Sequence, residues 1–432
     1  MLKKISLFEI LIFLVFLTSS FDIFLSVNIF GYTFRFCQMI SFILMIIALF
    51  KIIIEKKVIK PLGIIPLLLW LLTLIISTFN TPLINVNIAY DLWLIFNIVF
   101  IFSILNTFKE EIQINNIIKL YLISFVIVSI YGLLQFLLPF FGIVLPFIAQ
   151  WWKVGTIARI NGFSYEPSYF STYILMGWII LRIFLKYENT QFKKYKKYIN
   201  IGFVILSLAM VLSSSRIGIL MILLFEILNI IYNFIFCNSN RKQILKIILT
   251  IVIIGLIITL ILFLINKYVY NLIFLLNGTG LFGTSSHSFS DRFKGMTDTL
   301  IVFSQSPLIG HGLGGVYTAV AQLNGFNIYL NSVQDVGIVQ NIFAEVLAAS
   351  GVFGFIFFIK YLFDLIYKPL YYSYKKIKSK KRSIILRTFS ISLIFELLIL
   401  IFNQNILRPY LWIHISLLCL IYEVYRRKYE KK

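Results

Sequence analysis

The sequence predicts an all-α, polytopic membrane protein with about twelve transmembrane helices, and three observations carry that prediction. Of its 432 residues, 60% are hydrophobic and 13% charged, with a mean hydropathy of +0.94, which is more apolar surface than a soluble core can hide. Apolar runs repeatedly exceed the ~18 residues that mark a bilayer-crossing helix. Between the runs lie short clusters of lysine and arginine, the pattern that orients a membrane protein.

In order, the apolar runs lie at residues 5–26, 34–54, 61–79, 86–106, 117–139, 167–185, 199–213, 217–236, 244–266, 338–359, 384–402 and 410–425. The first follows Met1-Leu2-Lys3-Lys4 as a signal peptide would. It lacks a small-residue cleavage site and further spans follow, so it is read as a retained helix. With the amino terminus in the cytoplasm, 31 of the 39 basic residues fall in cytoplasmic segments, as the positive-inside rule requires, and both termini are then cytoplasmic. Two outer segments are long, residues 140–166 and residues 267–337. The second exceeds the ~12–15 residues that usually go without structure of their own, so amphipathic helices are expected in it, on the outer face. Residues 1–432 read as one integral membrane domain, and no repeat period is visible.

The net charge of +22 does not imply a nucleic-acid partner, because the basic residues sit between apolar runs and not on one solvent face. The partner implied is the lipid bilayer. Cys37, Cys237 and Cys419 lie far apart, with no Cys-x-x-Cys spacing, so neither a disulfide framework nor a zinc site follows. No acidic metal-binding cluster stands out either, and no cofactor is expected.

Eight basic residues remain on the outer side: Arg35, Lys153, Arg159, Arg216, Lys267, Arg292, Lys294 and Arg408. A cation placed against the usual bias needs another reason to be there, and binding an anion is one. The first long outer segment ends in ARINGFSYEPSYFSTYIL, where Arg159 precedes Glu166 by seven residues. Pro167 suits the first turn of the next helix, where a missing N–H costs nothing. Carboxylate and guanidinium then meet at the positive end of a helix, either as an interfacial ion pair or as part of a site. In VLSSSRIGIL, residues 211–220, there is almost no loop, so Arg216 sits at the membrane boundary among Ser213, Ser214 and Ser215. Snorkelling is one reading. A water-filled cavity is the favoured one, since a charge costs ~2.5–3.5 kcal/mol at a helix centre and less at the boundary.

The second long segment brings Asp291 and Arg292, a helix from about Arg292 to Gln305, and the turn SPLIGHGLGG. Pro307 and the glycines at 310, 312, 314 and 315 stop the helix and are expected to leave backbone N–H groups facing an anion. The turn matches neither a Walker A motif nor a dinucleotide fingerprint. His287 and His311 lie outside the spans, each a candidate base near neutral pH or simply solvated. Gln340 and Asn341 open the tenth span, with nine residues before Gly351 and then Gly354 three later. Such amides cap helices, and small residues three apart let a neighbouring helix approach.

This order of elements resembles the O-antigen ligase and polymerase family, multi-span enzymes that act on polysaccharides carried by undecaprenyl pyrophosphate. The resemblance covers about residues 155–360 and rests on four matches in order: Arg159 with Gly162 and Glu166-Pro167-Ser168; Ser215-Arg216; Arg292 before Pro307-Leu308-Ile309-Gly310; and Gln340-Asn341 before Gly351 and Gly354. The ligase branch typically has His-Asn where this chain has Gln340-Asn341, and glutamine cannot act as a base. The Glu-Pro-Ser form looks more like the polymerase members, so the resemblance implies a polymerase, with a ligase as the alternative.

It further implies a metal-independent, inverting glycosyltransferase of the GT-C-like fold in the bacterial inner membrane. The active site would be on the periplasmic face, with an undecaprenyl-pyrophosphate-linked oligosaccharide as substrate and a chain-length regulator protein as partner. In that scheme Arg216 and Arg292 clamp the leaving diphosphate, because arginine pairs with phosphate oxygens bidentately and stays charged. Glu166 orients or deprotonates the acceptor hydroxyl, with Asp335 and His311 behind it; Arg159, Ser215, Gln340 and Asn341 bind substrate. A flippase for the same carrier is the rival of another class, but the polar residues concentrate in the outer segments and not in matched halves. A purely structural anchor would leave five outward arginines with no evident job.

Overall fold

The computed structural model describes residues 6–29, 32–186, 193–236, 286–328, 339, 341–403 and 406–430. Among them the chain forms α1 (Leu7–Thr18), α2 (Phe36–Glu55), α3 (Ile64–Ser77), α4 (Ile84–Thr107), α5 (Glu111–Leu137), α6 (Pro167–Lys186) and α7 (Lys196–Leu212). There follow α8 (Arg216–Phe236), α9 (Ser286–Gln305), α10 (Leu313–Leu323), α11 (Ile342–Tyr371), α12 (Lys380–Ile399) and α13 (Pro409–Glu430). The protein is an all-α membrane protein. Eleven of the twelve expected spans correspond to helices, and the ninth, residues 244–266, lies outside the described residues. Within the long outer segment, α9 starts at Ser286, earlier than the Arg292 expected.

Among the described residues six helices, α2, α4, α5, α6, α8 and α11, are long and apolar enough to cross a bilayer. On α2 and α8 the outward faces leave Leu49, Ile53, Leu223 and Ile227 exposed, as a lipid-facing stripe requires. α13 is the opposite case. Every residue from Pro409 to Tyr425 is buried, among α4, α5, α11 and α12. A helix that meets only protein need not be uniformly apolar, and α13 carries His414 and Glu423 inside the bundle.

Two features depart from the expected spans. α1 stops at Thr18, not near residue 26, because the hydroxyls of Thr18 and Ser19 turn back to donate to the carbonyls of Leu14 (2.8 Å) and Phe16 (2.8 Å), closing the helix with polar groups. The chain then forms an antiparallel hairpin, β1 (Ser26–Ile29) with β2 (Tyr32–Arg35), which sets Arg35 opposite Ser26. A smaller hairpin, β3 (Trp151–Lys153) with β4 (Ile157–Ala158), lies in the first long outer segment. α11 is broken at Gly351, whose φ of 63° and ψ of −172° are not helical.

Candidate functional site

The site is assembled from the ends of α6, α8, α9, α11 and α13, and Glu166 is its most central carboxylate. Glu166 precedes α6, and its carbonyl accepts from the N–H groups of Tyr169 (3.1 Å) and Phe170 (3.2 Å). Ser168 Oγ donates to its Oε2 at 2.9 Å. The stretch before it is held by Gln135 of α5, which accepts from Gly162 N–H and donates to Gly162 C=O, each at 2.9 Å. Gly162 has φ +58°, and a Cβ there would lie 2.9 Å from the Phe170 ring. Only glycine suits both the turn and the approach.

Arg159 reaches from this stretch to the start of α8. Its Nη1 donates to Gln150 Oε1 at 2.6 Å, and its Nη2 to the carbonyls of Ser213 (3.4 Å) and Ser214 (3.3 Å). Ser214 takes φ +52°, which turns the chain sharply between α7 and α8 and places Arg216 first in α8. Ser215 Oγ accepts from Gly218 N–H at 3.3 Å; the expected substrate ligand is thus engaged as a helix cap.

Arg292 comes to the same place from α9. Burial lowers the pKa of the Arg159 and Arg292 guanidiniums, the field of Glu166 opposes that, and the field of Arg216 adds to it. Arg159 and Arg292 thus both lie within the field of Glu166 and of Arg216. Asn341 caps α11, its Oδ1 accepting from Phe343 N–H (2.9 Å) and Ala344 N–H (3.1 Å). Its Nδ2 donates to Met296 Sδ at 3.7 Å, one turn along α9 from Arg292, so this residue ties the α9 helix to α11.

The remaining two arginines of the outer set, Arg35 and Arg408, join the cluster from its far side through Asp22, an acid that sequence reasoning missed. Asp22, just past α1, accepts at Oδ1 from Arg35 Nε (2.9 Å) and Arg408 Nη1 (3.0 Å). The Arg408 guanidinium lies 4.3 Å from the centroid of the Tyr169 ring, a cation–π stack. Burial alone would lower the Arg408 pKa; the combined fields of Asp22, Tyr169, Tyr410 and Tyr317 outweigh it, and the pKa is raised. Tyr169, one turn into α6 from Glu166, feels Arg408, Glu166, Asp22 and Arg292 together. Glu345 of α11 closes the floor, accepting from Tyr317 Oη (3.1 Å) and Ile406 N–H (3.0 Å). Asp22 falls within an apolar run and Glu345 two turns inside another. Only the count of outward cations pointed here, and it pointed at arginines.

Five guanidiniums thus gather where Asp22 and Glu166 supply two carboxylates, an excess of three positive charges before Glu345 is counted. The starts of α6, α8, α11 and α13 add their positive dipole ends. Arg159 Nε and Arg408 Nε are buried with no acceptor among the described residues, donors suited to a substrate oxygen. Among the described residues no group of three or more His, Cys, Asp or Glu side chains is placed to hold a metal ion.

The glycine-rich turn serves another purpose than the anion contact expected of it. The N–H groups of His311 and Gly312 donate to the carbonyls of Ala348 (3.0 Å) and Ala349 (2.7 Å), and Val352 N–H donates to Pro307 C=O (2.9 Å). Gly314 and Gly315 N–H donate to Asn87 Oδ1 at 2.7 and 3.3 Å. These groups are consumed in stapling the turn to the break in α11 and to α4, and the glycines are there because the two backbones touch. The His311 ring lies against Val302 C=O at 3.1 Å, ten residues and about 15 Å along α9 from Arg292, so the structure does not bring it to the cluster. Asp335 and Gln340 lie outside the described residues, as do the side chains of His287 and Asp291.

A search of curated proteins finds no match to this chain. A family model does match, over α7, α8, α9, α10 and the first part of α11, and so includes Arg216, Arg292 and Asn341 while leaving out Arg159, Glu166 and Arg408. That family is described as O-Antigen ligase, and the match covers residues 201–359 of this membrane protein.

Proposed function

We propose that this chain is a polysaccharide polymerase of the bacterial inner membrane. It transfers a growing glycan from undecaprenyl pyrophosphate onto the non-reducing-end sugar of a second lipid-linked repeat, at the periplasmic face, without a metal ion. The observation that supports this reading best is the gathering of five outward arginines about Glu166 and Asp22. In the reaction the acceptor hydroxyl oxygen attacks the anomeric carbon, the bond from that carbon to the phosphate oxygen breaks, and the diphosphate leaves with the electron pair. Its added negative charge develops against Arg216 and Arg292, with Arg159 supporting them, which favours the transition state over the bound substrate. The hydroxyl proton passes to the Glu166 carboxylate, which Ser168 orients.

Transfer of the finished glycan to a lipid anchor, the ligase reaction, is the second reading, favoured by the printed description of the matched family. Deleting the gene and resolving the surface polysaccharide on a gel separates the two. A single repeat unit on its anchor supports the polymerase. Polymer that is still made but no longer attached overturns it in favour of the ligase.

A further inference from the structure

We infer that the groove between α2 and α4 seats the polyprenyl chain of the substrate whose diphosphate lies in the arginine cluster. The inference rests on the function proposed above and adds where the lipid runs. The groove encloses about 620 Å³, within the range of roughly 300–1,000 Å³ for small-molecule pockets. Its walls are Phe34 of β2, Phe42 and Met45 of α2, and Trp93, Phe96 and Val99 of α4. Edge and tilted ring contacts hold the shape: Phe34 to Trp93 at 5.1 Å, Trp93 to Phe96 at 5.5 Å, and Phe42 to Phe96 at 4.9 Å.

α4 contributes one continuous stripe, from Asn85 through Ala89 and Leu92 to Val99, spaced three or four residues apart. Those residues span about 21 Å of helix, some two-thirds of a ~30 Å hydrocarbon core. Asn85, the amide in the lining, sits at the end of the stripe that starts α4. Exposure of Leu92 (59%) and Phe42 (46%) marks an open rim on the lipid side. The opposite face of α4 is polar and bonded inward: Thr78 Oγ1 donates to Asp91 Oδ2 at 2.7 Å, and Asn87 holds the glycine turn.

Continuity with the cluster fixes the occupant. Phe34 lines the mouth of the groove, and the next residue, Arg35, donates to Asp22, which also holds Arg408. Successive residues of a strand face opposite ways, so the thickness of one strand separates a long apolar slot from a site with three excess positive charges. A ligand that satisfies both has a multiply charged anionic head on a single long hydrocarbon chain, which describes a polyprenyl diphosphate better than a two-chain phospholipid with one phosphate.

The test uses the full chain in nanodiscs and measures binding of undecaprenyl diphosphate and of geranyl diphosphate, the same head on a tail too short to run the groove. Ala89→Phe fills the slot from its floor, and Leu92→Trp, at an exposed position, narrows it from the rim without burden on the fold. Each weakens undecaprenyl diphosphate about tenfold or more, by excluding apolar chain from its seat, while geranyl diphosphate stays within about twofold. Unchanged binding of the long lipid in both variants, or equal weakening of both probes, overturns the groove and leaves the cluster untouched. Brominated phosphatidylethanolamine that quenches Trp93 and is not displaced by undecaprenyl diphosphate also overturns it, in favour of a bilayer acyl chain. Failure of the unaltered protein to bind either diphosphate overturns the proposed function and this inference with it.

Discussion

Gly351→Ala is expected to disable the proposed transfer reaction from a position outside the arginine cluster. Its φ of 63° with ψ of −172° belongs to a region occupied almost only by glycine, which costs a side-chain-bearing residue ~1–3 kcal/mol. A Cβ there would also stand 2.2 Å from Leu308 O, 2.3 Å from Leu308 C and 2.6 Å from Ile309 N. All are backbone atoms, so relief to an ordinary ~3.5 Å contact requires the turn to retreat by about 1 Å. The retreat strains the bonds from Val352, His311 and Gly312 that staple the turn to α11, each worth ~0.5–1.5 kcal/mol. With all three bonds lost the sum reaches about 2.5–7.5 kcal/mol, spent at the joint that fixes the carboxyl end of α9. Arg292, proposed above as part of the diphosphate clamp, rides on α9, and misplacing such a group by about 1 Å costs ~10²-fold in rate. Transfer measured in vesicles with lipid-linked repeat units should fall by about that factor, with a lowered thermal midpoint. Gly325→Ala is the control, because Gly325 has φ +78° with nothing within 4 Å of a Cβ, and it carries only the conformational cost. Wild-type transfer and midpoint in Gly351→Ala, or equal damage from Gly325→Ala, would refute the reasoning.

Four further outcomes can be checked. Arg216→Lys and Arg292→Lys should each reduce product about 10²-fold with protein level unchanged, since lysine offers a point charge where a planar fork is needed; full activity in both removes the diphosphate clamp. Glu166→Gln should lower transfer by ~10²–10⁴-fold while leaving donor binding intact, and a rate within a few fold of wild type would assign the proton elsewhere. Asp22→Asn strips the charge partner from Arg35 and Arg408 and should destabilise the protein by ~3–5 kcal/mol, read as loss of a monodisperse peak in detergent; an unshifted melting curve argues that the pair contributes nothing. Burial holds the His311 pKa below its ordinary value, partly offset by the carbonyls of Val302 and Asn80. The unfolded chain therefore binds a proton first, and stability present above pH ~6.5 is lost as pH falls from there toward the lower folded value. Comparing midpoints at neutral and mildly acidic pH should show a smaller drop in His311→Gln than in wild type.

The fold was legible because lipid-facing helices must be apolar, and α2 or α8 cannot be mistaken for anything else. Helix ends were less so: nothing in Thr18-Ser19-Ser20 distinguishes hydroxyls that end a helix from hydroxyls that tolerate one until their acceptors are seen. At the site, the positive-inside rule singled out the five arginines that the structure gathers, because that rule says which charges are out of place. It says nothing about acids, so Asp22 and Glu345 passed as residents of apolar runs. The glycine turn misled for a related reason. A glycine that frees an N–H for an anion and one that admits a second backbone read alike in a sequence, and only the 2.7 Å bond from Gly312 to Ala349 tells them apart.

The enclosure of α13 has a consequence for how the molecule comes into being. α13 is synthesised after every helix that wraps it, so the bundle must stay unsealed in the membrane until this late keystone slides in. Arg408 arrives with it, immediately before Pro409. A half-made chain therefore has neither its hub nor its full complement of cations, and it gains both in a single docking event.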